Sequence, residues 1–117
     1  MRFTRKISFK STEVQEIMAS VNDYVWIAVD VKRAMISGGD EAIGDSKMEL
    51  LWTGSKIYDV YGIGLDLSTG EIDYYSSINA KQAVPGSTKE VPMEKRERIE
   101  TLINYFFEEL PVFKNSR

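Results

Sequence analysis

Residues 24–37 read YVWIAVDVKRAMIS, and whether they form strand or helix decides the architecture. Val25, Ile27, Val29, Val31 and Met35 share one face at a spacing of two, and the run is rich in β-branched side chains. Such side chains lose χ1 freedom in a helix and pack well on a pleated surface. A helix continuing from Val21 is the competing reading; the stiff Val and Ile side chains favour a strand. Gly38-Gly39 then breaks the run, and the acidic loop DEAIGD follows.

Upstream, RFTRKISF (residues 2–9) alternates, with Phe3, Ile7 and Phe9 on one side, as a short half-buried strand does. Ser11 or Thr12 can cap a helix that carries Glu13 in its first turn and Val14, Ile17, Met18 and Val21 on one face. Downstream, SKMELLW (46–52), the turn Thr53-Gly54-Ser55 and KIYDVYGIGLDL (56–67) read as two strands joined tightly. Ser68-Thr69-Gly70 leads into EIDYYSSINAK (71–81), a second hairpin of the same kind. After the loop QAVPGSTKEV, Pro92 opens a helix with an apolar stripe at Ile99, Leu102, Ile103, Phe106, Phe107 and Leu110. Pro111 stops it, and residues 111–117 are expected to form a flexible tail. The expected fold is α+β, one domain over residues 1–117 in the order β-α-β-β-β-β-α. A four-stranded antiparallel meander plus the N-terminal strand carries two helices on one face.

Composition limits the chemistry. Among 117 residues there is no cysteine and no histidine. A thiolate nucleophile, a Ser-His-Asp triad, a Cys-His pair and a zinc hydrolase site are therefore excluded within this chain. The net charge of −3 supplies no global positive field for nucleic acid. Charge is uneven: Arg2, Arg5, Lys6 and Lys10 begin the chain, whereas residues 57–80 hold Asp59, Asp66, Glu71 and Asp73 without a base. Such segments are expected to pair with each other or to face solvent. MRFTRKISFK is followed by no apolar run of signal-peptide type, and the longest apolar run, YVWIAV, is too short to span a bilayer. A cytoplasmic protein without membrane partners is expected.

Alternation divides the expected sheet into two faces. The core face takes Val25, Ile27, Val29, Val31, Met48, Leu50, Trp52, Tyr61, Ile63, Leu65, Leu67, Ile72, Tyr74 and Ile78. The opposite face takes Tyr24, Trp26, Ala28, Tyr58, Val60, Gly62, Gly64, Tyr75 and Ser77, an aromatic surface suited to contact. Within Gly62–Asp73, GIGLDLSTGEID, the stretch GLDLSTG (64–70) resembles the first phosphate hairpin of sugar kinases and actin-like ATPases. The chain is a fraction of that superfamily's size and has no place for its other motifs, so STG reads as a hairpin corner. The candidate interface or ligand residues are Tyr24, Trp26, Tyr58, Asp59, Gly62, Gly64, Tyr75 and Asn79. They serve a homodimer or protein partner first. A small-ligand site or carboxylate-dependent enzyme on the Gly62/Gly64 face is the alternative, and weak single-stranded nucleic-acid binding the third. The reading leans away from an enzyme, with no catalytic residue, cofactor or metal assigned. Asp40, Glu41 and Asp45 lack an EF-hand register and read as a solvated loop. Lys81, Ser87, Thr88 and Lys89 could meet an anion, but a surface linker is the simpler reading.

Four stretches together carry a resemblance: VWIAVDVKRAMISGGDE, LLWTGSKIYDVYGI, SSINAK and EKRERIETLI. Over roughly residues 12–107 the chain resembles a small prokaryotic family of proteins known only as a domain of unknown function. The matching positions are Asp30, Gly38, Gly39, Gly54, Ser55, Asp59, Gly62, Ile78 and Asn79. The family's His-Ala-Asp-type stretch is replaced here by Ala42-Ile43-Gly44-Asp45, and its Arg-rich turn by Lys81 and Lys89 alone. The resemblance implies no activity.

Overall fold

The computed structural model describes residues 1–39 and 41–115. Five strands form one antiparallel sheet: β1 (Arg2–Arg5), β2 (Tyr24–Asp30), β3 (Met35–Gly39), β4 (Val60–Asp66) and β5 (Ile72–Asp73), in the spatial order β1-β3-β2-β4-β5. Among the described residues, four α-helices complete the α+β fold, α1 (Ser11–Ser20), α2 (Ile43–Trp52), α3 (Met93–Phe106) and α4 (Pro111–Lys114), with short 3₁₀ turns at Ile57–Asp59 and Ser77–Asn79.

Residues 24–37 are strand, but as a hairpin rather than one run. Asp30 turns the chain: its Oδ1 accepts from the backbone N–H groups of Lys32 and Arg33, each at 2.9 Å. This Asx turn places β3 beside β2, with Val29 opposite Ile36 and Ile27 opposite Gly38. The expected break at Gly38-Gly39 therefore lies inside a strand, one that also pairs with β1.

The second departure is α2. SKMELLW, expected as a strand, is helical, because Lys, Met, Glu and Leu are strong helix formers and the stretch contains no β-branched residue. Ser46 and Leu50 face inward, while Met48 and Trp52, assigned to the core by alternation, point out at 48% and 82% exposure. The helix carries the chain from β3 to β4, on opposite sides of β2, so the sheet is not a simple meander.

The sheet is thus covered on both faces. One face carries the main core, where Val25, Ile27, Ile63 and Leu65 meet Val14 and Ile17 of α1 and Ile99, Ile103 and Phe106 of α3. On the other, Ala28, Met35 and Val60 meet Leu50 of α2, with Ile43, Leu51 and Ile78 at the margin. Of the face read as open, α2 covers Ala28 and Val60, while Trp26, Tyr58 and Tyr75 remain exposed. Pro111 ends no chain of order: it sits in the first turn of α4, from which Val112 and Phe113 pack on the main core. Asp40 of the acidic loop, and Ser116 and Arg117 of the expected tail, lie outside the described residues.

Basic side chains of β1 find helix partners rather than the acidic segment 57–80. Arg2 pairs with Glu41 (2.7 Å) and with Glu49 of α2 (2.8 Å), and Arg5 with Glu13 of α1 (2.7 Å). The hydrogen bond from Arg5, followed by that from the Lys10 backbone N–H, holds the Glu13 carboxyl below its usual range.

Candidate functional site

The STG turn is a corner. Asp66 Oδ1 accepts from Ser68 N–H, Ser68 Oγ and Thr69 N–H at 2.9, 2.8 and 3.1 Å, and Gly70 takes the positive φ of 80° that closes the turn. The Ser68 hydroxyl and then the two backbone amides hold the Asp66 carboxyl below its usual range. Its oxygen is thereby committed within the turn.

β4 is where the sheet opens. β5 pairs with it only at Gly64 and Leu65, leaving the edge from Val60 to Ile63 without a strand neighbour. Asn79 occupies that edge, 2% exposed. Its Oδ1 accepts from Gly62 N–H (2.7 Å), and its Nδ2 donates to the carbonyls of Gly62 (3.0 Å), Lys89 (3.1 Å) and Tyr74 (3.4 Å). One side-chain amide stands in for a strand partner and ties β4 to the segment on either side of the 80–88 loop.

The two glycines serve the chain's own packing. A Cβ on Gly62 would lie 2.6 Å from Ser76 Oγ and 2.7 Å from Ile78 Cγ1, while on Gly64 it would meet the Tyr24 ring and hydroxyl. Tyr24 in turn packs edge-on to Trp26, with ring centres 5.3 Å apart. Burial, then the nearby Asp73 and Asp66 carboxylates, raise the Tyr24 phenol above its usual pKa.

The remaining candidates separate into two places. Trp26, 40% exposed, and Tyr75 line a cavity of about 350 Å³ with Glu41, Ala42 and Ile43 at the start of α2. Tyr58 and Asn79 line a larger cavity of about 550 Å³ at the β4 edge, walled by Tyr61, Val91 and the 84–88 loop, and by Met93, Glu94 and Arg96 of α3. Asp59, Tyr24, Gly62 and Gly64 line neither. Asp59 instead anchors the β2–β3 turn, its carbonyl accepting from Val31 N–H at 3.0 Å.

Lys81 is the unexpected member of the larger cavity. Read from sequence as part of a surface loop, it is only 8% exposed, and its Nζ has no hydrogen-bond partner. Ser87 fixes its backbone from both sides, accepting from Lys81 N–H (2.8 Å) and donating to Lys81 C=O (2.9 Å). The ammonium position lies 3.9 Å from the Tyr61 ring centre. A ring face offers a buried cation about 2 kcal/mol, whereas desolvating the charge costs several. Burial wins, Lys47 of α2 adds repulsion, and the Lys81 amine is lowered to a pKa of about 8. Glu90 and Glu94 also line the cavity, but neither is ion-paired to Lys81. Arg96, on the same wall, is committed in part: its guanidinium stacks 4.9 Å from the Tyr74 ring centre and its Nε donates to Val91 C=O at 2.9 Å. Burial first, then Glu94 and Asp59, push the Tyr61 phenol up, so it remains protonated at neutral pH.

Among the described residues, no group of three or more acidic side chains is placed to hold a metal ion, and no helix is long and apolar enough to cross a membrane.

The molecule thus has an α+β fold with apolar clusters on both faces of its sheet and a cavity of about 550 Å³ at the open β4 edge. The chain belongs to the family described as "Protein of unknown function (DUF5674)", whose family model matches residues 4–106. No curated protein and no solved structure matches it.

Proposed function

We propose that this protein binds a small molecule in the cavity between the β4 edge and the 81–96 segment. The observation that carries the reading is Lys81, which lines a cavity of about 550 Å³ and whose Nζ is a buried donor with no acceptor. Buried polar groups are nearly always paired, and one left unpaired beside a cavity calls for an acceptor from outside the chain. A pocket of this size, with apolar walls and a few polar groups, suits a small organic ligand. The ligand presents an oxygen to Lys81 and apolar surface to Val91 and Pro92. Calorimetry or ligand-observed NMR with a panel of small carboxylic acids, phosphates, aldehydes and ketones tests this. Saturable binding that weakens at least about tenfold in Lys81→Met is expected, the loss of roughly one charge-assisted hydrogen bond. No binding by the wild type across the panel at millimolar concentration would contradict it.

A second reading is self-association through the α2 side, supported by the 82% exposure of Trp52 beside the exposed Met48. Sedimentation at tens of micromolar tests it: a dimer that Trp52→Ala dissociates is expected, and a strict monomer contradicts it. The absence of cysteine is compatible with a reducing, cytoplasmic setting, which we include in the proposal.

A further inference from the structure

We infer that Lys81 is an amine nucleophile that condenses with the carbonyl group of an aldehyde or ketone bound in this cavity. The inference rests on the ligand-binding reading and names the chemical class of the ligand. Three arrangements support it. The Nζ is enclosed, with no carboxylate paired to it and no hydrogen bond engaging its lone pair or its protons. Its backbone is clamped by Ser87, so the side chain leaves a fixed point and ends over the Tyr61 ring. A second cation, Lys47, acts on it from the neighbouring helix. An amine desolvated in a cavity beside another cation is the arrangement that makes lysine nucleophilic at neutral pH.

The titratable groups that line the same cavity are Tyr58 and Tyr61, beside and within β4, Glu90 on the loop, and Glu94 and Arg96 on α3, and Lys47 on α2 repels the charged amine. Burial and Lys47 lower the amine to about 8, so a usable fraction is neutral at pH 7. The step balances without an oxidant or reductant. The Nζ lone pair forms a bond to the carbonyl carbon and a nitrogen proton passes to the oxygen through solvent, giving a carbinolamine. The C–O bond then breaks, water leaves with one further proton from solvent, and a protonated imine remains on Lys81.

Reductive trapping tests the inference. The full chain is incubated with limiting glyoxylate, or with propionaldehyde as an uncharged counterpart, together with sodium cyanoborohydride, and modified lysines are mapped by mass spectrometry. At pH 7, Lys81 is expected to carry at least about tenfold more adduct than the average of the other eight lysines. The preference should shrink as pH rises through 10, and Lys47→Gln should slow labelling at Lys81. In Lys81→Arg, which keeps charge and bulk, labelling should fall to the background of the remaining lysines. Adduct spread evenly over the nine lysines, or Lys81 spared while others react, would overturn the inference. If Lys81-dependent reversible binding persists with Lys81 spared, the covalent step alone fails. If both are absent, the ligand reading falls with it.

Discussion

Lys81 Nζ stands 3.9 Å from the centre of the Tyr61 ring, buried and without a hydrogen-bond acceptor. A lysine so placed opposes folding. Its folded-state pKa of about 8 lies below its ordinary 10.5, so between those values the unfolded chain binds more protons than the folded one. Stability therefore rises with pH across that window, and the full penalty is present below pH 8. Replacing Lys81 by Met should raise stability at pH 7 by on the order of 2 kcal/mol and flatten the rise. Chemical denaturation from pH 7 to 9.5 checks this, below the range where the raised phenols of Tyr24, Tyr61 and Tyr74 begin to oppose it. A variant that gains stability while losing ligand marks a residue kept for function.

Asn79 is the opposite case, a side chain that holds the fold. Asn79→Ala removes the partners of Gly62 N–H and C=O at an otherwise unpaired strand edge. A loss of about 2–4 kcal/mol in denaturant melts is expected, together with loss of the cavity. An effect under about 0.5 kcal/mol would mean that water replaces it without cost.

The two glycines of β4 should differ. At Gly62 an added methyl meets Ser76 and Ile78 in the packed 76–79 segment, so Gly62→Ala must displace that segment and the Asn79 contacts with it. At Gly64 the obstacle is the Tyr24 side chain, half-buried at the surface and able to swing away. Thermal unfolding should show Gly62→Ala several degrees below Gly64→Ala; the reverse order would contradict the packing described.

The acid limb of the stability curve has named contributors. Glu13, held down by Arg5, and Asp66, held down by Ser68 and Thr69, both have lowered folded-state pKa values. Their stabilisation is present above the ordinary carboxylate range near 4 and is lost as pH falls through the lowered values. Asp66→Asn and Glu13→Gln should each make unfolding less steeply dependent on pH below 4, as followed by circular dichroism.

Much of the fold can be read from local pattern because local pattern causes it. The β-branched alternation of residues 24–30 is strand, and the stripe from Ile99 to Phe106 is helix. The turn within residues 24–37 was signalled only by Asp30 and the polar Lys32-Arg33, whose weight lies in one carboxylate reaching two backbone amides. In α2, Leu50 points inward on either spacing; only Met48 and Trp52 separate helix from strand, and both are apolar on an exposed face. Of the candidate site, Tyr58 and Asn79 were legible as members of an aromatic, glycine-containing neighbourhood, and they do line the larger cavity. Lys81 was not, because nothing beside it in the chain buries it. Its Nζ lies over the Tyr61 ring, which is distant in the chain, and Ser87 holds its backbone in place.

The most direct measurement is the site-resolved titration of Lys81 by NMR of ¹³Cε-labelled lysine in the intact protein. One resonance, absent in Lys81→Arg, is expected to titrate with a midpoint of about 8. A Lys81 midpoint in the ordinary lysine range would contradict it.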